Sequence, residues 1–336
     1  MPSSRRSRTA SAKRRPAPRR RPGARPSSSA TPIDIPEKGD AVIEAGAREI
    51  RLTNLHKVFW TDPPITKGDL LRYYARIASA LVPHVRDRAM VMKRYPHGAS
   101  GPFFFMKRAP TPRPAWIETC AIEHGSGRVI DFPMVQDLPS LLWVVNLGCI
   151  DLNQWYARCD EVGRPDYLHF DLDPGDGVTF ERVCEAGFIV RDALEALRMP
   201  ALVKTTGSRG LHVYVPIVRG PVQKDVWRFA KALAVELAAR HPALLTSEYR
   251  VANRPRARVL VDYNQNAWGR TLASIYSVRP RPRAPVSAPV TWDELAAGAA
   301  IDDFRLDNMP ERVLRLGDLW EPLLRTRGRF DLGSFL

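Results

Sequence analysis

The chain has 336 residues, of which 44% are hydrophobic, and its 51 basic and 36 acidic side chains give a formal net charge of +15 at pH 7. This apolar content is sufficient for a core and excludes a wholly disordered basic protein. The longest candidate for a membrane span, residues 141–150, is shorter than the roughly 20 apolar residues that a spanning helix needs. A basic chain with a core and no membrane segment most often meets a polyanion.

The basic charge is concentrated at the N-terminus. Residues 1–30 contain ten Lys and Arg and no acidic residue, while the other 306 residues carry a net charge of only +5. Arg, Pro and Ser leave little to bury, so we predict a disordered Arg/Pro-rich tail over residues 1–45. The tail serves either as a tether to a phosphate backbone or as a solvated extension without a specific role. It lacks the apolar stretch of a secretory signal, and we expect a cytoplasmic, nucleoid-associated protein.

The first predicted elements follow the tail. Thr66 and Asp69 have the spacing of a helix capping box, and apolar residues follow at helical spacing. Strands are predicted over 90–95, 102–107 and 128–135, and a buried helix over 138–148.

The central region has a clearer pattern. An alternating strand covers 167–173, a helix 180–197, and two strands, 201–206 and 211–216, flank a glycine-containing turn. Another helix starts after Pro221, a strand covers 259–263, and a short helix covers 292–297. The Pro-rich stretch 279–290 is predicted to stay out of any sheet. The mixture indicates an α/β or α+β globule.

The four cysteines, Cys120, Cys149, Cys159 and Cys184, form no C-x-x-C pair. A zinc site is therefore not expected, and reduced core thiols are predicted.

Asp171 and Asp173 lie at the end of the strand 167–173 and share one of its faces, because alternate residues of a strand point the same way. Two adjacent carboxylates repel each other unless a cation lies between them, and oxygen ligands favour Mg²⁺ or Mn²⁺. A strand-ending turn explains the pair equally well. Asp262 is a third acid in an apolar strand, and it pairs either with a nearby arginine or with the first two acids in a two-cation site.

The segment 206–212 places two glycines beside Ser208, Arg209 and His212. Glycines allow a tight turn that presents backbone N–H groups, and the three side chains are donors suited to phosphate oxygens. We favour a phosphate-binding loop over an ordinary hairpin. The segment is not a Walker A motif.

These motifs, in this order, resemble the archaeo-eukaryotic primase superfamily, and most closely the polymerase domain of bacterial ligase D and its stand-alone primase-polymerase relatives. The resemblance covers residues 54–295. It implies a two-lobed primase-polymerase core with an RRM-like catalytic sheet at 46–300, and a C-terminal extension, 301–336, that packs on the core. It also implies template-directed nucleotidyl transfer to a 3′-hydroxyl in DNA repair by non-homologous end joining, by gap filling or end extension, with two Mn²⁺ or Mg²⁺ ions.

The resemblance assigns roles to individual residues. The catalytic and metal-binding acids are Asp171, Asp173 and Asp262. The residues that contact the incoming NTP or dNTP are Thr206, Ser208, Arg209, Gly210, His212, Gln265 and Arg279. A pocket for the 5′-phosphate of the downstream DNA strand is formed by Asn54, Lys57 and Lys67. The residues that grip and stack on the template are Lys93, Arg94, Phe103 and Phe104. Without the resemblance, the two lysines read as solvated side chains and the phenylalanines as core.

The chain departs from the family pattern at two positions. Asn153 stands where relatives tend to have His, and Arg209 stands where Lys is common. No K-x-D-G motif occurs, so we expect a separate DNA ligase, and an end-binding protein, as partners on gapped or broken DNA. The alternative is a non-catalytic nucleic-acid-binding subunit that keeps the fold. A phosphatase of the haloacid dehalogenase type is disfavoured, because Gly175 replaces the Thr or Val expected after the second Asp.

Overall fold

The computed structural model describes residues 33–125 and 127–335. The helices in these residues are α1 (Lys67–Val85), α2 (Leu138–Asn146), α3 (Phe180–Ala196), α4 (Gln223–Arg240), α5 (Trp292–Ala296), α6 (Met309–Leu316) and α7 (Glu321–Leu324). The strands are β1 (Ala41–Ala45), β2 (Arg48–Leu52), β3 (Val58–Thr61), β4 (Pro64–Thr66), β5 (Met90–Arg94), β6 (Phe104–Met106), β7 (Thr119–Glu123), β8 (Val129–Pro133), β9 (Cys149–Trp155), β10 (Tyr167–Pro174), β11 (Leu202–Thr205), β12 (Leu211–Pro216), β13 (Leu245–Thr246), β14 (Val259–Asp262), β15 (Thr271–Ala273) and β16 (Pro289–Val290). The predicted mixed α/β class is confirmed.

Most of the predicted tail lies outside the described residues, but its last five residues form β1, which pairs with β2 in antiparallel register. Ile43 and Ile50 are buried on the paired strands. Gly46 turns the chain between them with a φ of 66°, a value that favours glycine. Regular structure therefore begins before residue 46, because this short hairpin buries enough apolar surface to pack against the core.

A six-stranded sheet in the order β13-β14-β10-β12-β11-β16 forms the first part of the core. Its pairs are antiparallel except for β13 with β14. Helix α3 packs on the face that carries Leu172 and Leu211, at Gly187, where an added Cβ would lie 3.1 Å from Leu211 Cδ1. The close approach of helix and sheet depends on that glycine. Residues 171 and 212 therefore project from the opposite face.

A four-stranded sheet in the order β15-β9-β5-β6 forms the second part of the core. Helix α1 contacts it through Tyr74, whose hydroxyl donates to the backbone oxygen of Ile150 at 3.0 Å. The helix begins at the predicted capping box: the Asp69 amide donates to Thr66 Oγ1 at 3.1 Å, and the Thr66 amide donates to Asp69 Oδ2 at 2.7 Å. Strand β9 had no sequence-based prediction, because it is buried on both faces and lacks alternation.

The C-terminal segment contacts the six-stranded sheet and α1. Trp320 Nε1 donates to the backbone oxygen of Val203 at 3.0 Å. Asp318 lies 2.7 Å from His84 Nε2 and accepts from the Tyr276 hydroxyl at 2.8 Å. Each of these bonds joins residues that are far apart in sequence. Tertiary contacts, rather than local helix propensity, therefore hold the C-terminal segment in place.

Two sequence-based expectations are wrong. Pro289 and Val290 form β16, which pairs with β11. An edge strand accommodates proline because only one side of it needs to donate hydrogen bonds. In addition, Cys120 and Cys159 form a disulfide, while Cys149 and Cys184 are free and buried. The pairing joins β7 to the connection between β9 and β10, two regions whose proximity sequence spacing does not reveal.

No helix within the described residues has both the length and the apolar character required to cross a membrane.

Candidate active site

A row of four polar side chains crosses the six-stranded sheet. Asp262 on β14 lies opposite Asp171 on β10. Asp171 lies opposite His212 on β12, which in turn lies opposite Lys204 on β11. Directly opposed residues of antiparallel strands share a face, and Asp173 shares it as the second residue after Asp171. The register thus brings the three predicted acids together on the face opposite α3.

The environment of the three carboxylates disfavours their charged forms and raises all three pKa values. Burial raises the pKa of Asp171 to about 6, against the opposing effect of Lys204 and Arg279. Burial and the charge of Asp171 both raise the pKa values of Asp173 and Asp262. The ionised form of each acid is therefore disfavoured in the fold, and a cation between the acids would relieve that cost.

As they stand, no three His, Cys, Asp or Glu side chains within residues 33–125 and 127–335 form a group that would hold a metal ion. The chemistry of the acids nevertheless fits a divalent cation. All their donor atoms are carboxylate oxygens, and the repulsion that raises their pKa values would be relieved by positive charge between them. Oxygen donors of this kind suit Mg²⁺ or Mn²⁺.

His212 faces this carboxylate cluster as a neutral imidazole. Burial and the nearby charges of Lys204 and Arg279 hold the pKa of His212 well below its usual range. Its Nε2 lies 3.2 Å from Asp171 Oδ1, a distance at which the N–H tautomer donates. Its Nδ1 is buried and has no partner among the described residues, and in this tautomer it carries a lone pair rather than a proton.

The glycine loop after β11 is closed by Thr206. Its hydroxyl accepts from the amides of Ser208 at 3.2 Å and Gly210 at 3.0 Å. Gly207 has a φ of 63°, and a Cβ there would lie 2.7 Å from Arg279 Cγ. A Cβ at Gly210 would clash with the backbone oxygen of Leu172. Both glycines are therefore required for the loop to lie against β10 beside the acids.

Gln265 and Arg279 reach the same region from later in the chain. Gln265 Nε2 donates to Asp262 Oδ2 at 2.9 Å. Arg279 Nη1 donates to the backbone oxygen of Thr206 at 3.0 Å. Arg209 lies near enough to Asp173 to lower its pKa, although burial and Asp171 outweigh this effect. Of the predicted nucleotide-contacting residues, Arg209, His212, Gln265 and Arg279 therefore border the carboxylate cluster, whereas Ser208 lines a cleft beside α3 with Phe180 and Cys184.

The predicted phosphate-pocket residues also come together. The Lys67 amide donates to the Lys57 backbone oxygen at 2.8 Å, which joins the start of α1 to the segment before β3. Lys67 Nζ donates to the backbone oxygen of Thr53 at 2.6 Å, and burial lowers the pKa of Lys67 to about 8. Asn54 has a φ of 56°, and its amide donates to Asp40. The lysines are therefore held by specific contacts rather than freely solvated.

The predicted template residues form an exposed aromatic surface on β5, β6 and the preceding residue. Phe103, Phe104 and Phe105 are 49%, 43% and 58% exposed, which excludes the alternative that they belong to the core. Lys93 Nζ lies 4.0 Å from the centre of the Phe103 ring, and Arg94 Cζ lies 5.2 Å from the centre of the Phe104 ring. Cations stacked on exposed rings are typical of surfaces that bind single-stranded nucleic acid.

Three residues that support the site were not singled out from the sequence. Asn266 donates to the His169 backbone oxygen at 2.7 Å and accepts from the His169 amide at 3.1 Å, so its side chain extends the pairing of β10 beyond β14. Lys204 is fully buried, and its Nζ donates to Ala273 and Ser287. Asp151 on β9 is buried and lies beside Lys93 and Arg279. The sequence signal for Lys204 was a lone charge in an apolar strand.

Residues 66–320 match the family model described as LigD, primase-polymerase domain. The chain belongs to this family. The match covers most of the residues that carry the row of acids, the glycine loop and the aromatic surface.

The family's relatives agree in sequence and in fold. The multifunctional non-homologous end joining protein LigD of Mycolicibacterium smegmatis is 33% identical over 276 residues, which are 82% of this chain and 36% of that protein. LigD of Pseudomonas aeruginosa is 30% identical over 310 residues, or 88% of this chain and 36% of that protein. The polymerase domain of Mycobacterium tuberculosis ligase D, solved in complex with DNA, superimposes with a TM-score of 0.77 at 31% identity, covering 82% of this chain and 98% of that one. The chain thus corresponds to about a third of the multifunctional relatives and to nearly all of the solved polymerase domain.

Proposed function

We propose that this LigD-family chain is a DNA-directed nucleotidyltransferase that extends a 3′-hydroxyl opposite a template in non-homologous end joining. The observation that carries the proposal is the cross-strand pairing of Asp171 with Asp262, flanked by His212 and the glycine loop. Paired acids beside a loop of phosphate donors are the parts that nucleotidyl transfer requires.

In this proposal the acids bind the metal ions and the glycine loop binds the phosphates. Asp171, Asp173 and Asp262 would hold two Mg²⁺ or Mn²⁺ ions, which would supply charge neutralisation at the triphosphate and activation of the attacking hydroxyl. The Ser208 hydroxyl and the Arg209 guanidinium would offer donors to the phosphate oxygens, and His212 would orient Asp171 through its Nε2–H. Arg279 borders the same loop. Together these groups orient the NTP or dNTP in line with the primer end.

Two surfaces favour a gapped or broken duplex over an intact one. Lys57, Lys67 and Asn54 provide a basic corner for the 5′-phosphate of a downstream strand, at the N-terminus of the 19-residue helix α1. The Phe103 and Phe104 rings, with Lys93 and Arg94, provide stacking and charge for unpaired template bases. A substrate that has both features is a short gap or a broken end.

The partners follow from what the relatives combine in one protein. The curated relatives are named as multifunctional or bifunctional end-joining proteins, and this chain spans only part of them. We therefore propose that a DNA ligase activity and an end-binding protein act with this domain on the same DNA, in the cytoplasm at the nucleoid.

A non-catalytic DNA-binding subunit is the second candidate. The exposed aromatic surface and the basic corner would serve such a protein equally well. The three clustered acids argue against it, because they raise the free energy of the fold and repel DNA unless cations occupy the cluster.

Primer extension on a duplex with a short gap, with Mn²⁺ and each nucleotide, tests the proposal. Wild type should extend the primer, Asp171→Ala should not, and both should bind the DNA. Asp192→Ala is the matched control, since that acid is exposed on α3 and pairs with its neighbour Arg191. Absence of extension by wild type with intact DNA binding would favour the non-catalytic subunit.

A further inference from the structure

Asp151 on β9 is a buried carboxylate that contacts both substrate surfaces proposed above. Its side chain is 2% exposed, and its Oδ2 lies 3.9 Å from Lys93 Nζ and 3.4 Å from Arg279 Nε. We infer that Asp151 is a positioning residue that couples template binding to nucleotide binding by holding these two cations in a fixed relation. The inference rests on the proposed function.

On the template side, the contact is built into the sheet register. Lys93 on β5 lies directly opposite Asp151 on β9 and directly opposite Phe105 on β6. The three side chains therefore share one face. With Nζ above the Phe103 ring, the Lys93 ammonium lies between the buried carboxylate and the exposed aromatic surface. Any base that stacks on these rings meets an ammonium group whose position Asp151 fixes.

On the nucleotide side, the contact reaches the glycine loop. Arg279 follows β15, and its guanidinium donates to the Thr206 backbone oxygen while its Nε faces Asp151. Gly207 leaves room for the stem of this arginine, since a Cβ there would lie 2.7 Å from Arg279 Cγ. The guanidinium is thus held between Asp151 and the loop that is proposed to bind the triphosphate.

Asp151 has no substitute in these contacts. Within the described residues, neither Lys93 nor Arg279 has another carboxylate within 4.0 Å. Removing the charge would leave two cations that repel each other across a low-dielectric space. Asn153 Nδ2 donates to the Asp151 backbone oxygen at 3.0 Å and to Asp151 Oδ1 at 3.4 Å, and an Asn at position 151 keeps both acceptor oxygens. The substitution Asp151→Asn therefore removes the link between the cations while preserving the strand.

The coupling has a measurable signature. In wild type, gapped DNA whose templating base matches the nucleotide should tighten the binding of that nucleotide. In Asp151→Asn this enhancement should fall by about tenfold, the order expected for losing a charge-assisted contact. Affinity for the nucleotide without DNA should change far less. A residue that only supported the fold would weaken both affinities together.

The experiment measures the dissociation constant of ATP with Mn²⁺, with and without a gapped duplex that presents thymine, for four proteins. These are wild type, Asp151→Asn, Asp151→Glu and Asp166→Asn. Asp166 is the matched control: it is a buried carboxylate, also between two cations, that accepts from Arg88 at 2.7 Å and lies 3.2 Å from Arg158. It immediately precedes β10, at the end of that strand away from Asp171 and Asp173. Asp151→Glu should restore part of the enhancement, whereas Asp166→Asn should lower the melting temperature and leave the enhancement intact.

Two results would overturn the inference. One is an undiminished enhancement in Asp151→Asn. The other is an equal loss of nucleotide affinity with and without DNA, accompanied by the same loss in Asp166→Asn. Primer extension by the wild type, run in parallel, separates the two proposals. Extension without a loss of coupling in Asp151→Asn refutes only the role of Asp151, whereas nucleotide and DNA binding without extension refutes the polymerase activity.

Discussion

Asp171 and Asp262 lie directly opposite each other on the antiparallel strands β10 and β14. The two acids are 91 positions apart in sequence, and the sheet register alone makes them neighbours. Burial raises the pKa of both carboxyls, and the charge of Asp171 raises that of Asp262 further. Such an arrangement is unfavourable for stability and is therefore expected where function requires it.

This relationship predicts that Asp171→Asn stabilises the metal-free protein while abolishing extension. The folded-state pKa of Asp171, about 6, lies above its ordinary value, so its charge destabilises the fold progressively from about pH 4 upward and fully above pH 6. The variant should gain about 3 kcal/mol at pH 7 in EDTA. Below pH 4 the gain should vanish. Thermal unfolding across this pH range measures it, and a variant less stable than wild type at pH 7 would contradict the electrostatic account.

Lys67 predicts a pH dependence for recognition of the 5′-phosphate. Because burial lowers its pKa to about 8, the ammonium loses its proton in a range where an ordinary lysine keeps it. The preference for a 5′-phosphorylated downstream strand should decline between about pH 7 and pH 9. Fluorescence anisotropy with phosphorylated and unphosphorylated gaps measures the preference.

The variant Lys67→Ala provides the comparison for that experiment. It should show a small preference that does not change with pH over the same range. Lys38→Ala, an exposed lysine N-terminal to β1, is the control and should keep the wild-type profile. A wild-type preference that stays constant to pH 9 would refute a role for the Lys67 charge.

The glycine loop predicts that adding one methyl group at Gly210 lowers the stability of the fold substantially. In Gly210→Ala the added Cβ would clash with the Leu172 backbone oxygen, and neither group can move without displacing β10 beside the acids. We expect a loss of about 2–4 kcal/mol of unfolding free energy, together with weaker nucleotide binding. Gly220→Ala is the control, because nothing lies within 4 Å of its Cβ position, and it should change stability by less than about 0.5 kcal/mol. Chemical denaturation of both variants checks the difference.

The ion pair between Arg88 and Asp166 predicts stability that is lost in acid. Burial alone would raise the pKa of Asp166, but the charge and hydrogen bonds of Arg88, with Arg158, lower it below its ordinary value. The pair therefore stabilises the fold above the ordinary carboxyl pKa, and this contribution disappears as the pH falls through the lowered one. Asp166→Asn should cost about 3 kcal/mol at pH 7 and progressively less in acid.

The exposed pair of Arg219 and Asp160 supplies the comparison for that measurement. The Asp160 side chain is 65% exposed, so Asp160→Asn should change the unfolding free energy by less than about 1 kcal/mol. Equal losses in the two variants would show that burial does not decide the strength of these pairs.

Much of the local structure was readable from the sequence. The capping box of Thr66 and Asp69 predicted the start of α1, because its two hydrogen bonds lie within four residues. The alternation along 167–173 predicted β10, and the position of Asp171 and Asp173 on one face follows from the geometry of any strand. Leu211–Pro216 was predicted with its observed bounds.

The predictions failed where distant residues decide the outcome. Strand β9 carries no alternation because both of its faces are buried, and β16 forms through a proline-tolerant edge that only the position of β11 provides. The disulfide between Cys120 and Cys159 joins segments that only the fold brings together. Composition alone favoured a core position for Phe103 and its two neighbours, and their exposure follows from the place of β6 at the edge of its sheet.

The sequence by itself determined the longer helices and several strands of this protein, its three acids, its glycine loop and, through the motif order, its family. Tertiary structure decided which of these residues act together. The row from Asp262 to Lys204 and the contacts of Asp151 with Lys93 and Arg279 depend on strand register and on how the two larger sheets meet. Register is set by the burial of whole faces, a cooperative property of the core that no local window of sequence contains.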